Sequence, residues 1–155
     1  MQFETRAFVG FLAFVFIFLP VAGFVAERYG SKIARSSLDT RIVRIKGVEV
    51  NVFVADTPLL RRKGLSGMES LAEEDGMLFV FNESGAHGIW MRGMLFAIDI
   101  IWIDENGRIV DVLHSVSPDT FPSVFYPSGN AKYVLEVRSG FAENLGIMAG
   151  VRVEL

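Results

Sequence analysis

Five side chains carry groups that could hold a ligand or take part in a reaction: Arg62, Trp90, Arg92, Asp99 and Glu136. Two carboxylates can serve as an acid and a base in the hydrolysis or elimination of a sugar. An arginine can clamp a carboxylate or phosphate through two parallel hydrogen bonds, and an aromatic ring suits sugars and apolar groups. These residue types therefore predict a site for a small polar ligand.

Asp99 is the most informative of the five residues. Alternation along the strand-like segment 98–104 places it on the same face as Ile101 and Ile103. A carboxylate on an apolar face is costly unless it is paired or hydrogen-bonded. Two interpretations follow: either Asp99 accepts hydrogen bonds from backbone amides or an arginine and so fixes a loop, or it faces a ligand.

Glu136 lies in a second strand-like segment, where it alternates with Leu135. Alternation favours a solvent-facing side chain at this position. If it instead lay beside Asp99, the two carboxylates could act as an acid and base pair.

The two arginines and the tryptophan each have a structural and a functional interpretation. Arg92 either pairs with Asp99 or Glu136, or clamps an anionic group of a ligand. Arg62 has the same two interpretations and lies on a short predicted helix. Trp90 either packs into the core or lines a shelf for a sugar or an apolar ligand.

Composition excludes several classes of function. The net charge is −3 with no long basic run, which argues against nucleic acid as the main partner. The absence of cysteine and the presence of only two histidines, His87 and His114, exclude disulfides, thiolate metal sites and histidine-rich metal sites. Phosphate-binding, dinucleotide-binding and zinc-hydrolase motifs are also missing, so we expect no metal and no cofactor.

The N-terminal part contains 20 consecutive uncharged residues, 7–26, enough to span about 30 Å of hydrocarbon. We favour a retained membrane anchor; the alternative is a signal peptide cleaved near Val21-Ala22-Gly23, which would release a secreted protein. Basic residues after the span would keep the following part in the cytoplasm, whereas translocation, which we favour, would make it extracytoplasmic. The predicted organisation is a flank (1–6), an anchor or signal peptide (7–26), a linker (27–40) and a β-rich domain (41–155).

The remaining sequence predicts many short strands. Segments 41–45 and 48–54 form a predicted hairpin around Lys46-Gly47, and Asn106-Gly107 marks a second one. A capped helix is predicted over 58–63, and residues 115–130 are predicted to form a long loop. The fold class is thus mainly β, a compact sandwich or barrel-like domain with one or two short helices.

Several of these segments resemble one protein family. The motifs are Arg62-Lys63-Gly64-Leu65-Ser66-Gly67, the run 75–81, Ile89-Trp90-Met91-Arg92, the run 98–104, and 133–137 followed by Gly140. In this order and with these gaps they are similar to the domain of unknown function 192 family. The resemblance implies a compact, mainly β fold, often behind a bacterial signal sequence, with no assigned reaction. Where the family usually has Lys-Asn, this chain has Arg92-Gly93 and so lacks a side-chain amide.

Taken together, the sequence favours a non-catalytic binding or interaction module at the cell envelope over an enzyme. The expected partners are the membrane, through residues 7–26, and an envelope glycan or a protein. The alternative is an envelope polysaccharide hydrolase or lyase that uses Asp99 and Glu136.

Overall fold

The computed structural model describes residues 39–155, which contain nine strands and three short helices. The predicted anchor and nearly all of the predicted linker lie outside these residues. No helix within 39–155 is long and apolar enough to cross a membrane. The elements are β1 (Thr40–Ile45), β2 (Val48–Ala55), α1 (Pro58–Lys63), β3 (Asp75–Gly85), β4 (Ile89–Trp90), β5 (Ile98–Ile103), β6 (Ile109–Val116), a 3₁₀ helix (Pro118–Thr120), β7 (Val124–Phe125), β8 (Ala131–Arg138), α2 (Phe141–Asn144) and β9 (Val153–Glu154).

Seven of the strands form one mixed sheet in the order β6-β5-β8-β3-β2-β1-β9, and β4 pairs with β7 in a separate ribbon. Among the paired strands of residues 39–155, only β2 and β3 run parallel, and α1 lies in the connection between them. The sheet curls into a half-barrel, in which the start of β6 contacts the chain just before β9: Ile109 N–H donates to the carbonyl of Val151 at 2.9 Å. The predicted mainly β class with short helices is therefore confirmed, in its barrel-like form.

Local sequence signals account for the first elements of the domain. Lys46 and Gly47 both adopt positive φ, 49° and 82°, the conformation of a tight turn that matches the twist of a hairpin. The Thr57 hydroxyl accepts a hydrogen bond from Leu60 N–H at 3.2 Å, and Pro58 opens the helix. The predicted turn and the predicted helix 58–63 are both confirmed.

The core consists of two apolar clusters, one on each face of the sheet. The α1 face contains Phe79, Trp102 and Val134, with Leu65 from the turn after α1. The α2 face contains Leu78, Ile101 and Leu135, with Ala142 from α2. Strand β5 is fully buried, and β8 contributes to both clusters, so the centre of the sheet is covered on both sides.

The predicted loop 115–130 contains more structure than its sequence indicates. It includes the 3₁₀ helix Pro118–Thr120, and its β7 pairs with β4 through Ile89 and Phe125 and through Trp90 and Val124. This pairing brings the loop beside Trp90.

Candidate functional site

The two candidate acids lie on opposite faces of the sheet. In the register of β5 and β8, Asp99 pairs with Val137 and Ile100 pairs with Glu136. Directly opposed residues point to the same face, and neighbours along a strand point to opposite faces. Asp99 therefore belongs to the α2 face and Glu136 to the α1 face, so the two carboxylates do not form a catalytic pair.

Asp99 is fully buried and is held by backbone amides. Its Oδ1 accepts hydrogen bonds from Ser115 N–H at 2.7 Å and Gly140 N–H at 3.3 Å, and its Oδ2 accepts one from Ala142 N–H at 2.8 Å. Ser115 adopts a φ of 51°, a conformation that is uncommon outside glycine. The carboxylate thus fixes the end of β6 to the start of α2, which matches the loop-fixing interpretation of this residue.

Glu136 is also buried, at 4% exposure, so the predicted solvent-facing position was wrong. The reason is its place on β8, which lies between β3 and β5 with Met77 and Ile100 as its direct neighbours. Its Oε2 has no hydrogen-bond partner among the described residues. Burial raises the pKa of Glu136 from 4.5 to about 8, because removing the carboxylate from water disfavours its charged form.

Glu136 lines a cavity of about 240 Å³ on the α1 face. One part of its wall is apolar and aromatic, and the residues that form this part come from β3, β4 and the turns after α1 and β4: Leu65, Phe79, Phe81, Ile89, Trp90 and Met94. The cavity is smaller than the roughly 300–1,000 Å³ typical of drug-sized ligands, so it suits a small molecule.

Three consecutive basic residues, Arg61, Arg62 and Lys63, line the same cavity from the last turn of α1. Arg61 is committed to the fold, since it donates to the carbonyls of Asp56 at 2.6 Å and Val80 at 2.7 Å. Arg62 and Lys63 are exposed and form no ion pair or side-chain hydrogen bond within residues 39–155. They therefore remain available to an anionic group.

Gly64 ends α1 at a φ of +48° and lies against the cavity wall. A Cβ at this position would lie 3.3 Å from Cζ of Phe79, so a larger residue would strain the helix end and press on the ring. The glycine lets the basic turn approach the aromatic wall closely.

Trp90 and Arg92 lie beside the cavity. Trp90 lines it and is 39% exposed, so it is not a core residue. The Arg92 guanidinium lies over the Trp90 ring, 5.8 Å from its centroid, and pairs with neither Asp99 nor Glu136 among the described residues. The Ser66 hydroxyl donates to the Arg92 carbonyl at 2.6 Å, which ties the turn after α1 to the turn after β4.

The structure thus brings four of the five predicted site residues to one side of the sheet: Arg62, Trp90 and Glu136 line the cavity and Arg92 contacts Trp90. Asp99 is separate. Sequence reasoning missed the aromatic wall of Phe79 and Phe81 and the contribution of Lys63. The run Arg61-Arg62-Lys63 directly before a helix-ending glycine was the signal available for the basic turn.

The sequence of residues 41–155 matches the model of a family of uncharacterised proteins, DUF192 (Uncharacterized ACR). The chain belongs to the DUF192 family. The resemblance seen in its motifs is therefore confirmed. No curated protein matches the sequence of this DUF192 chain.

Two solved structures resemble this DUF192 protein at 28% sequence identity. One is a proposed transcription regulator from Sinorhizobium meliloti, which matches with a TM-score of 0.72 over 76% of this chain and 95% of that chain. The other is a protein of unknown function from Novosphingobium aromaticivorans, with a TM-score of 0.73 over 77% of this chain and 88% of that chain.

Proposed function

We propose that this DUF192 protein is a non-catalytic binding module for a small anionic ligand with an apolar or aromatic body. The observation that carries the proposal is the buried Oε2 atom of Glu136, which has no hydrogen-bond partner within residues 39–155 and belongs to a residue that lines the same cavity as Arg62 and Lys63. Buried polar groups in proteins are nearly always hydrogen-bonded, and an exception requires an explanation. A bound ligand would supply the missing partner.

Glu136 acts in this proposal as a hydrogen-bond donor. With a pKa of about 8, it is mainly protonated at neutral pH. A protonated carboxyl group has one O–H donor, which suits an acceptor oxygen on the ligand. The apolar side chains beside Glu136 would strengthen such a bond, because a hydrogen bond is electrostatically stronger in surroundings of low polarity.

The basic turn of α1 supplies the second part of the recognition. Arg62 and Lys63 line the cavity from its exposed side and would bind a carboxylate or phosphate of the ligand. Arginine can hold such a group through two parallel hydrogen bonds. The ligand would therefore place its apolar body among Phe79, Phe81 and Trp90.

Binding is favoured over catalysis because, among residues 39–155, Glu136 is the only acid that lines the cavity and no histidine does. The residues there offer one protonated acid without a partner base, whereas hydrolysis of a glycoside needs two carboxyl groups. The hydrolase or lyase alternative rested on Asp99, which lies on the other face of the sheet.

The place of action belongs to the same proposal. The uncharged segment 7–26 would tether the module to a membrane, with the domain on the extracytoplasmic side at the cell envelope. The ligand would then be an envelope component or a small acid that reaches the envelope. Cleavage of the segment would instead give a secreted module.

Arg62→Ala is expected to weaken binding of an anionic probe about tenfold, because it removes a charge-assisted hydrogen bond. The measurement is native mass spectrometry of the full chain in detergent with benzoate, phenyl phosphate and the cationic control benzylamine. Arg152→Ala is the matched control, since Arg152 is also exposed but lies next to β9, away from the cavity lining.

We expect benzoate or phenyl phosphate, and not benzylamine, to bind the native chain and the Arg152→Ala variant. Equal binding by the native and Arg62→Ala chains would show that the basic turn does not recognise the anion. Binding of benzylamine alone would also contradict the proposal.

A further inference from the structure

A group of exposed apolar side chains borders the candidate cavity. Trp90, Phe121, Val124 and Tyr126, which we term the aromatic rim, are 39%, 46%, 41% and 63% exposed. Soluble domains expose single apolar residues commonly, but clustered exposed aromatic rings mark interaction surfaces.

The rim residues are contiguous. The rings of Trp90 and Phe121 meet edge to face at a centroid distance of 6.4 Å, and Trp90 pairs with Val124 between β4 and β7. A Cβ on Gly88 would lie 2.6 Å from the Tyr126 ring and 2.7 Å from Val124, so these two side chains pack directly on the backbone of the cavity wall. The rim therefore forms one surface that continues into the cavity mouth.

Basic side chains flank this surface. Arg92 lies over the Trp90 ring, and Arg62 and Lys63 line the cavity that Trp90 also lines. The nearest acid along the chain, Asp119, is exposed and its carboxylate accepts a hydrogen bond from the Ser117 hydroxyl at 3.5 Å, so this side carries three basic side chains and one nearby acid. The full chain carries a net charge of −3, so this flank offers an anionic surface a local attraction that the protein as a whole does not.

We infer that the aromatic rim and its basic flank form a surface that lies against an anionic lipid bilayer. Tryptophan and tyrosine favour the headgroup region, where an apolar ring and a polar edge are both accommodated. Lysine and arginine near such a surface gain about 1 kcal/mol each from anionic lipids. Because Trp90 belongs to both the rim and the cavity wall, this contact brings the cavity mouth to the lipid surface.

Chain length makes the contact accessible. The inference rests on the proposed membrane tether at residues 7–26. Twelve residues, 27–38, separate that segment from Asp39, and they span at most about 43 Å when fully extended. The tether would therefore hold the domain near the bilayer and raise the effective concentration of lipid at its surface.

The two tryptophans of the chain make a direct test possible, because Trp90 lies in the rim and Trp102 is fully buried. The full chain is reconstituted into phosphatidylcholine vesicles with or without phosphatidylglycerol, and brominated lipids serve as the fluorescence quencher. Sedimentation with the vesicles reports the tether separately. We expect tryptophan emission to fall by about a third to a half with anionic vesicles, less with neutral vesicles or added salt.

Trp90→Phe is expected to abolish the quenching and Tyr126→Ser to reduce it at least twofold. The matched control Met148→Ser, which removes an equally exposed apolar side chain from the segment after α2, should leave it unchanged. If the chain sediments with vesicles but shows no quenching, the inference about the rim is wrong and the tether is retained. If the chain neither sediments nor shows quenching, both the rim contact and the tether are wrong. Emission that depends on protein concentration and not on lipid identifies the rim as a contact between copies and overturns the inference.

Discussion

Replacement of Asp99 by alanine is expected to lower the free energy of unfolding by about 4 kcal/mol, because two part-buried backbone N–H groups and one buried one lose their acceptor. Those donors belong to Ser115, Gly140 and Ala142, and each costs about 1–3 kcal/mol when it is buried without a partner. Without the carboxylate, the left-handed backbone of Ser115 also loses its support. Chemical denaturation of the full chain, followed by tryptophan emission, measures the loss, since the buried Trp102 becomes exposed on unfolding.

Asp104→Ala is the matched control for this substitution. The Asp104 carboxylate also accepts two amide hydrogen bonds, from Asn106 and Arg108 at 2.8 Å each, but in an exposed turn. Water can replace it there, so we expect a loss of only about 1 kcal/mol. Similar losses in the two variants would show that Asp99 is not the anchor between β6 and α2.

The stability of the protein is expected to fall as the pH rises from about 5 to about 8, and Glu136 is the cause. The folded state holds the Glu136 proton up to a pKa of about 8, whereas the unfolded chain loses it near 4.5. The contribution of Glu136 to the free energy of unfolding is therefore fully present below pH 4.5, and it is lost as the pH approaches 8. The slope is about 1.4 kcal/mol per pH unit, a total of about 4 kcal/mol across the window.

Glu136→Gln removes the titrating group and keeps its size, so this variant should lose that slope. Denaturation midpoints at several pH values for the native and variant chains measure the difference. Glu143→Gln, an exposed substitution on α2, is the control and should retain the native slope. A native pH dependence that persists in Glu136→Gln would mean that another group is responsible and that Glu136 is ionised in the fold.

Much of the architecture was readable from short sequence patterns. The turn at Lys46-Gly47, the helix 58–63 and the hairpin at Asn106-Gly107 follow from local backbone preferences and were predicted within a few residues. The pairing of β4 with β7 was not predictable, because both strands have only two residues, too few for a periodic signal, and β7 lies in a proline-containing loop. Only the tertiary arrangement brings that loop beside Trp90.

Sequence patterns also indicated some features of the candidate site correctly and missed others. Alternation correctly indicated that a carboxylate at Asp99 needs partners, but its donors come from residues 16 to 43 positions away in the chain. Alternation misplaced Glu136, because it assigns residues to faces without showing whether a face is covered. Both faces of β8 are covered, and the apolar neighbours Val134, Leu135 and Val137 were the available sign of that.

The most direct test of the proposed binding site is the pH dependence of affinity for the anionic probe that binds best, benzoate or phenyl phosphate. If protonated Glu136 donates to the probe, affinity should fall about tenfold between about pH 6.5 and about pH 9 in the native chain, since its pKa is about 8. The Glu136→Gln variant, which keeps a donor at every pH, should change less than about twofold. Affinity that rises with pH, or an equal fall in both chains, would contradict the account, as would a failure of both probes to bind.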